Sequence, residues 1–264
     1  MATALTAASC LSPDVAEQSP DSEDKVVGGR LAFEGEFPNV VSLARPSRYR
    51  PGTLGSMCTG TLISPNTVLT AAHCVGEELN GGLIVFSATD VNQRYRPVRN
   101  VASWIVAPNY DNDENHDVAL VKFSPPMTDI EIVPLNADPL LSAPGVQHKF
   151  AGYGGGNAIP QPHDATYTYG QLRTTTLPSA LCPEDADVDE ATTTCFMPGR
   201  ETLYFGDSGG PGFVTRKDGT VVQGTVTSRG IVDEDGRTAG VANVQLDAFI
   251  PWILQNSNYD VDRI

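Results

Sequence analysis

Gly206-Asp207-Ser208-Gly209-Gly210-Pro211 sets a serine among glycines in a turn that no regular element can hold. On its own such a turn is commonly only a turn. Its meaning comes from two segments upstream. Thr70-Ala71-Ala72-His73-Cys74 closes an apolar run with a histidine beside a cysteine. His116-Asp117-Val118-Ala119-Leu120-Val121 opens another apolar run with an aspartate. In the order His73, Asp117, Ser208 the chain offers a base, an orienting carboxylate and a hydroxyl. Hydrolysis by serine needs that set, because a hydroxyl is a weak nucleophile until a base takes its proton.

The stretches around these segments read as short strands. VVSLA near 40–45, GTLISPNTVLTAA at 60–72, LIVFSA at 83–88, DVALVKF at 117–123, FVTR at 213–216 and VVQGTVTS at 221–228 alternate with the turn signals SPN, NGG, APNYDND, APG and KDGT. The 25 Gly and 20 Pro favour many turns over a helical bundle. Near the end, Leu246, Phe249, Ile250, Ile253 and Leu254 follow the 3.6-residue period of a helix, with Asp247 as its expected N-cap and Pro251 in its first turn. The expectation is an all-β fold of one or two barrels with a C-terminal α-helix.

Hydrophobic residues make up 40% of the 264, enough for a sizeable core, and no apolar run approaches a membrane-spanning helix. The net charge of −15 repels phosphate backbones, which speaks against a nucleic-acid partner. The five cysteines show no zinc-finger spacing, so no metal is expected. Two local pairs, Cys58-Cys74 and Cys182-Cys195, would leave Cys10 over. Such pairing implies a secreted or lumenal protein, and the sequence alone does not prove it.

Residues 1–25 differ from the rest. MATALTAASCL lacks a basic start and is a poor signal peptide, leaving a trimmed one open. SPDVAEQSPDSEDK is too polar to fold alone. It ends at Lys25, before the apolar Val26-Val27-Gly28-Gly29, and a lone basic residue between a flexible leader and a compact body suits processing. Cutting there would remove five acids and one lysine, taking the net charge from −15 to −11.

The chain resembles the chymotrypsin/trypsin-like serine protease family over roughly 26–256. VVGG looks like the mature start of these enzymes, and TAAHC, HDVALVKF and GDSGGP look like their three catalytic blocks, in the family's chain order. The 16-residue step between Cys58 and Cys74 matches a disulfide typical of the family. Ala151-Gly152-Tyr153-Gly154 and Phe249-Ile250-Pro251-Trp252-Ile253 resemble further family segments. The resemblance implies two six-stranded antiparallel β-barrels, at 26–140 and 141–264, with the site in the cleft between them. It implies His73, Asp117 and Ser208 as catalytic residues, and the N–H groups of Gly206 and Ser208 as the oxyanion hole. It implies a zymogen in which the Val26 amine, freed by cleavage after Lys25, pairs with Asp207. No cofactor is implied, and nothing demands more than a monomer. The expected partners are a protein or peptide substrate, an activating protease and protein inhibitors, with no membrane.

Departures concern specificity. Thr202, six residues before Ser208, stands where tryptic members carry an Asp, so simple tryptic cleavage is not expected. With Leu203 as apolar lining and Gly240 as a pocket wall, the primary pocket should favour a medium or large hydrophobic residue. Phe205 would lie at its entrance. Ser228-Arg229-Gly230 replaces the family's SWG edge, and three readings stay open for Arg229: it binds an acidic substrate residue, it obstructs peptides, or it is solvated with little effect. A one-residue shift placing Thr227 first is a further option. Tyr204 occupies the position of a missing pocket cysteine. The acidic run Glu184 to Glu190 reads as a solvated loop before a calcium site, and His148 and His163 show no constellation. The function read from these residues is a secreted serine endopeptidase with an uncharged pocket. The alternative is a weak or inactive homologue that binds or inhibits another protein.

Overall fold

A computed structural model describes residues 29–48, 50–110, 114–155, 170–184, 186–197, 199, 201–232, 238–258 and 260–264. Cys10, Lys25, Val26 and His163 lie outside them. Six strands close the first barrel in the order β2-β3-β4-β7-β6-β5. They are β2 (Val40–Pro46), β3 (Leu54–Ser64), β4 (Thr67–Thr70), β5 (Leu83–Val85), β6 (Val98–Val106) and β7 (Ala119–Phe123). Closure removes the sheet's edges, and apolar side chains such as Leu62, Val68, Leu69, Leu120 and Val121 are buried in one cluster on its strands.

The second half is a seven-stranded sheet, β1-β9-β8-β11-β12-β13-β10. Its strands are β1 (Arg30–Leu31), β8 (Gln147–Gly152), β9 (Arg173–Pro178), β10 (Thr193–Phe196), β11 (Pro211–Thr215), β12 (Val221–Val232) and β13 (Thr238–Gln245). The expected six strands are there. An antiparallel bridge between Ala180, just past β9, and Cys195 in β10 brings the two ends of that set together. The seventh, β1, comes from the other side of the expected boundary at residue 140 and pairs Arg30 with Thr174. An ion network holds β1 there. Glu36 accepts from Arg30 at 2.6 Å and from Lys149 of β8 at 3.0 Å, and the Arg30 guanidinium beside it holds its carboxyl down at about 2, against the opposing effect of burial. With this architecture and its single C-terminal helix, the protein has the chymotrypsin fold.

That helix, α1 (Ile250–Asn256), is entered through a 3-10 turn at Asp247–Phe249. All five residues of the apolar stripe are buried in one cluster with first-barrel side chains. Pro251 sits in the first turn, where its missing N–H costs nothing. Asp247 does not cap α1: it opens the 3-10 turn, and Phe249 at the end of that turn occupies the N-cap.

His148 is fully buried in β8, stacked on Phe150 and edge-on to Phe196, with neither ring nitrogen hydrogen-bonded. Burial pushes it down to about 4, and the nearby Leu141 carbonyl only partly opposes this. A folded state that holds the ring neutral is at full advantage above the ordinary value of 6.5 and loses stability as pH falls from there towards 4. The loss over that window is expected to be about 3 kcal/mol. His148→Phe should flatten this part of the stability–pH curve in urea titrations at pH 7 and pH 4. An unchanged slope would show that the ring is not the group responsible.

Candidate active site

His73 lies in a single 3-10 turn, Ala72–Cys74, that follows β4. The neighbouring Cys74 is bonded to Cys58 of β3, so the turn is fastened to the barrel wall. Cys58, His73 and Cys74 bring three potential metal-binding atoms within 4.8 Å of one another. The two sulfurs are bonded to each other, so the group is a disulfide beside an imidazole. The second expected pair, Cys182-Cys195, is bonded as well.

Asp117 follows the 3-10 turn Glu114–His116 and precedes β7, with its carboxylate buried. Three donors reach it. The His73 backbone N–H donates to Oδ1 at 2.8 Å, His73 Nδ1 lies 2.7 Å from Oδ2, and the Ser228 hydroxyl donates to Oδ2 at 2.6 Å. Burial alone would raise the carboxyl, but the His73 and Ser228 bonds outweigh it and hold Asp117 below the usual carboxylate range. An ionised Asp117 accepting from Nδ1–H leaves Nε2 of the half-exposed ring as the nitrogen able to take a proton.

The turn carrying Ser208 is tied to the first barrel chiefly through Thr59, next to Cys58. The Thr59 N–H donates to the Ser208 carbonyl at 2.8 Å, and its hydroxyl donates to the Gly206 carbonyl at 2.8 Å. Gly206 has φ of +96°, a conformation that favours glycine. At Gly209 a Cβ would overlap Thr70 Oγ1 and the Thr59 carbonyl, so only glycine lets the turn approach β3 and β4 this closely. The N–H groups of Gly206 and Ser208 are not engaged by any carbonyl among the described residues. Cys74 Sγ lies 3.6 Å from the Ser208 carbonyl oxygen and 3.8 Å from His73 Nε2, so the serine backbone and the imidazole both come up against this one sulfur. No hydrogen bond joins His73 Nε2 to Ser208 Oγ among the described residues. Bonds of this kind tighten when substrate is bound.

Asp207 is buried. Its Oδ1 accepts from the Gly154 N–H and its Oδ2 from the Tyr204 N–H, both at 2.9 Å. Burial nevertheless pushes it up to about 6, with these two bonds and the charge of Arg173 opposing.

Of the expected pocket residues, Thr202 is half-buried and Phe205 is 68% exposed, edge-on to Tyr204. Leu203 is buried in a cluster with Phe150, Leu177, Phe196 and Val241. Space is open beside Gly230, whereas Met197 Cε and Ile231 Cδ1 approach the Cβ direction of Gly240 within 3.2 and 3.5 Å. Ser228 faces Asp117 through its hydroxyl. Arg229 is not simply solvated: its Nη2 donates to Asn115 Oδ1 at 2.9 Å and to the Asp187 carbonyl at 2.8 Å.

Sequence reasoning missed Thr59, Asn115 and the role of the Ser228 side chain. Thr59 had one signal, its place beside a cysteine in a strand. Ser228 meets Asp117 across 111 positions, a separation that leaves no local pattern.

A closed barrel that bears a histidine–aspartate pair, and a second sheet that bears a serine in a glycine-rich turn, are the layout of a trypsin-like serine protease. The chain belongs to the trypsin family, whose model matches residues 26–253. It is 27% identical over 253 residues to serine protease SSP1 of Scolopendra subspinipes, covering 89% of this chain and 84% of that protein. It is 28% identical over 196 residues to anionic trypsin of Canis lupus familiaris, covering 72% and 75%.

Proposed function

We propose that this chain is a secreted serine endopeptidase, made as a zymogen and activated by cleavage after Lys25. The observation that carries the reading is the doubly bonded His73–Asp117 pair beside the Ser208 turn. His73 Nε2 takes the Ser208 proton as Oγ attacks the peptide carbonyl. The negative oxygen that forms is met by the N–H groups of Gly206 and Ser208, a donor set in which one member contributes roughly 2.7–4 kcal/mol. His73 then returns the proton to the leaving amine, and water releases the acyl group by the same route in reverse order. The disulfides suit an oxidising compartment, which supports secretion. An activating protease, protein inhibitors and a monomeric state belong to the same proposal.

The relative from dog is named a trypsin, but the uncharged Thr202 and the apolar Met197 and Ile231 near Gly240 favour a medium or large hydrophobic side chain here. Family membership and the presence of all three residues leave the binding-protein alternative without support of its own.

The buried Asp207 carboxylate supports the zymogen reading, because burial raises it even against the charge of Arg173 and two backbone N–H groups, so a further positive charge such as a freed Val26 amine would be taken up favourably. Its raised value means that the uncut chain is at full advantage below about 3.8 and loses stability as pH rises through about 6. Relative to Asp207→Asn, the loss between pH 4 and pH 8 should be about 3 kcal/mol. Urea unfolding of both uncut proteins at the two pH values measures it. A difference that does not change with pH would mean that the carboxylate is already paired.

The function itself is tested on chain cut after Lys25, with Val26 confirmed as the new terminus by mass spectrometry. A fluorophosphonate should label Ser208 there and not in the uncut chain. Correctly cut, folded protein that takes no label would refute the reading and bring the binding-protein alternative forward.

A further inference from the structure

Strand β12 runs past Asp117 with one edge open. Up to Val226 it lies between β11 and β13, and beyond Thr227 only β13 pairs with it, as far as Val232. Among the described residues, the backbone of Ser228, Arg229 and Gly230 therefore presents an edge on which an extended peptide can add as a further strand.

One side chain bridges the walls beside that edge. Arg229 Nη2 reaches Asn115 Oδ1 on the first-barrel turn that leads to Asp117, and the Asp187 carbonyl in the loop closed by Cys182 and Cys195. Both anchors are themselves held. Asn115 Oδ1 also accepts from the Asp189 N–H and the Thr193 hydroxyl, each at 3.2 Å, so turn and loop are fastened to each other as well as to the guanidinium. A peptide strand extending along β12 has to break these bonds or pass around them. An acidic side chain is poorly suited to approach them, because the whole chain carries −15.

We infer that Arg229 is a specificity-determining residue that bars the open edge of β12, so that the site takes up polypeptide only where few residues precede the bond to be cut. This rests on the peptidase reading of the site. It replaces a contact surface for substrate with a bridge between two parts of the enzyme.

The test measures binding, so that it does not depend on turnover. In cut chain carrying Ser208→Ala, affinity for a fluorescein-labelled tetrapeptide amide ending in phenylalanine is compared with and without Arg229→Ala, by anisotropy. A labelled dipeptide amide with the same end is the control. Arg229→Gln, which keeps most of the side-chain stem, decides the matter if the alanine variant does not fold. The tetrapeptide should bind about tenfold tighter or more once the bridge is gone, the scale of one charge-assisted hydrogen bond, and the dipeptide should change less than about threefold. No gain for the tetrapeptide overturns the inference, including binding too weak to detect in every protein. So does weaker binding, which would mean that the guanidinium holds the peptide. Failure of the peptidase reading shows separately, as absence of fluorophosphonate label at Ser208 when Arg229 is intact.

Discussion

Ser208→Ala in the cut chain is expected to lower kcat by about 10⁶ while KM moves by less than about threefold. The physical reason is that the alanine methyl removes the only atom proposed to bond to the substrate carbon. The structure that positions the substrate stays in place. Both anchors of the turn are backbone carbonyls, those of Gly206 and Ser208, and Thr59 holds them whatever side chain stands at 208. Stability should accordingly change by less than about 1 kcal/mol, as for a substitution that breaks no buried network. His73→Ala should cost a similar factor, and the double substitution little more than either alone, because base and nucleophile act as a unit. Steady-state kinetics on a peptide amide with a hydrophobic residue before the scissile bond checks all three proteins. Additive losses would show that His73 and Ser208 act independently, contrary to the proposed mechanism.

Asp117→Asn should lower kcat by about 10⁴. The geometry explains the size. Asp117 Oδ2 receives Ser228 Oγ–H and faces His73 Nδ1, while Oδ1 receives the His73 backbone N–H. An asparagine has one oxygen for these donors, and whichever way the amide turns, its NH₂ group meets at least one of them. With the NH₂ towards the ring, Nδ1 becomes the acceptor, the proton moves to Nε2, and the ring can no longer take the serine proton. The carboxylate is also the only charge proposed to stabilise the ring once it is protonated, and it is buried, so its loss is felt in a weakly screened setting. Measured kcat should recover as pH is raised enough for hydroxide to act on the acyl group and the serine. A loss of tenfold or less would place the orienting role elsewhere. Ser228→Ala removes one donor and leaves the ring bond, so its effect should be a small fraction of this.

The three blocks that carry His73, Asp117 and Ser208 were legible because each is a short run in which strand signal and reactive residue are neighbours. The terminal helix was legible through its period, and the first disulfide through its spacing. What failed locally was the N-cap, because Asp247 opens a 3-10 turn that precedes the helix.

Sequence by itself therefore determined the fold class and the chain order of the reactive residues, since these follow from local alternation, period and motif, while the two cysteine pairs it suggested were established by the structure. Tertiary structure decided that Ser228 serves Asp117, that Thr59 holds the nucleophile turn, that β1 joins the second sheet, and that Arg229 is engaged by Asn115 and Asp187. Each of these joins residues far apart along the chain, and the Arg229–Asn115 bond spans 114 positions. Local propensity carries no information across such distances, because only the packing of the two β-structures against each other brings those atoms within hydrogen-bonding reach.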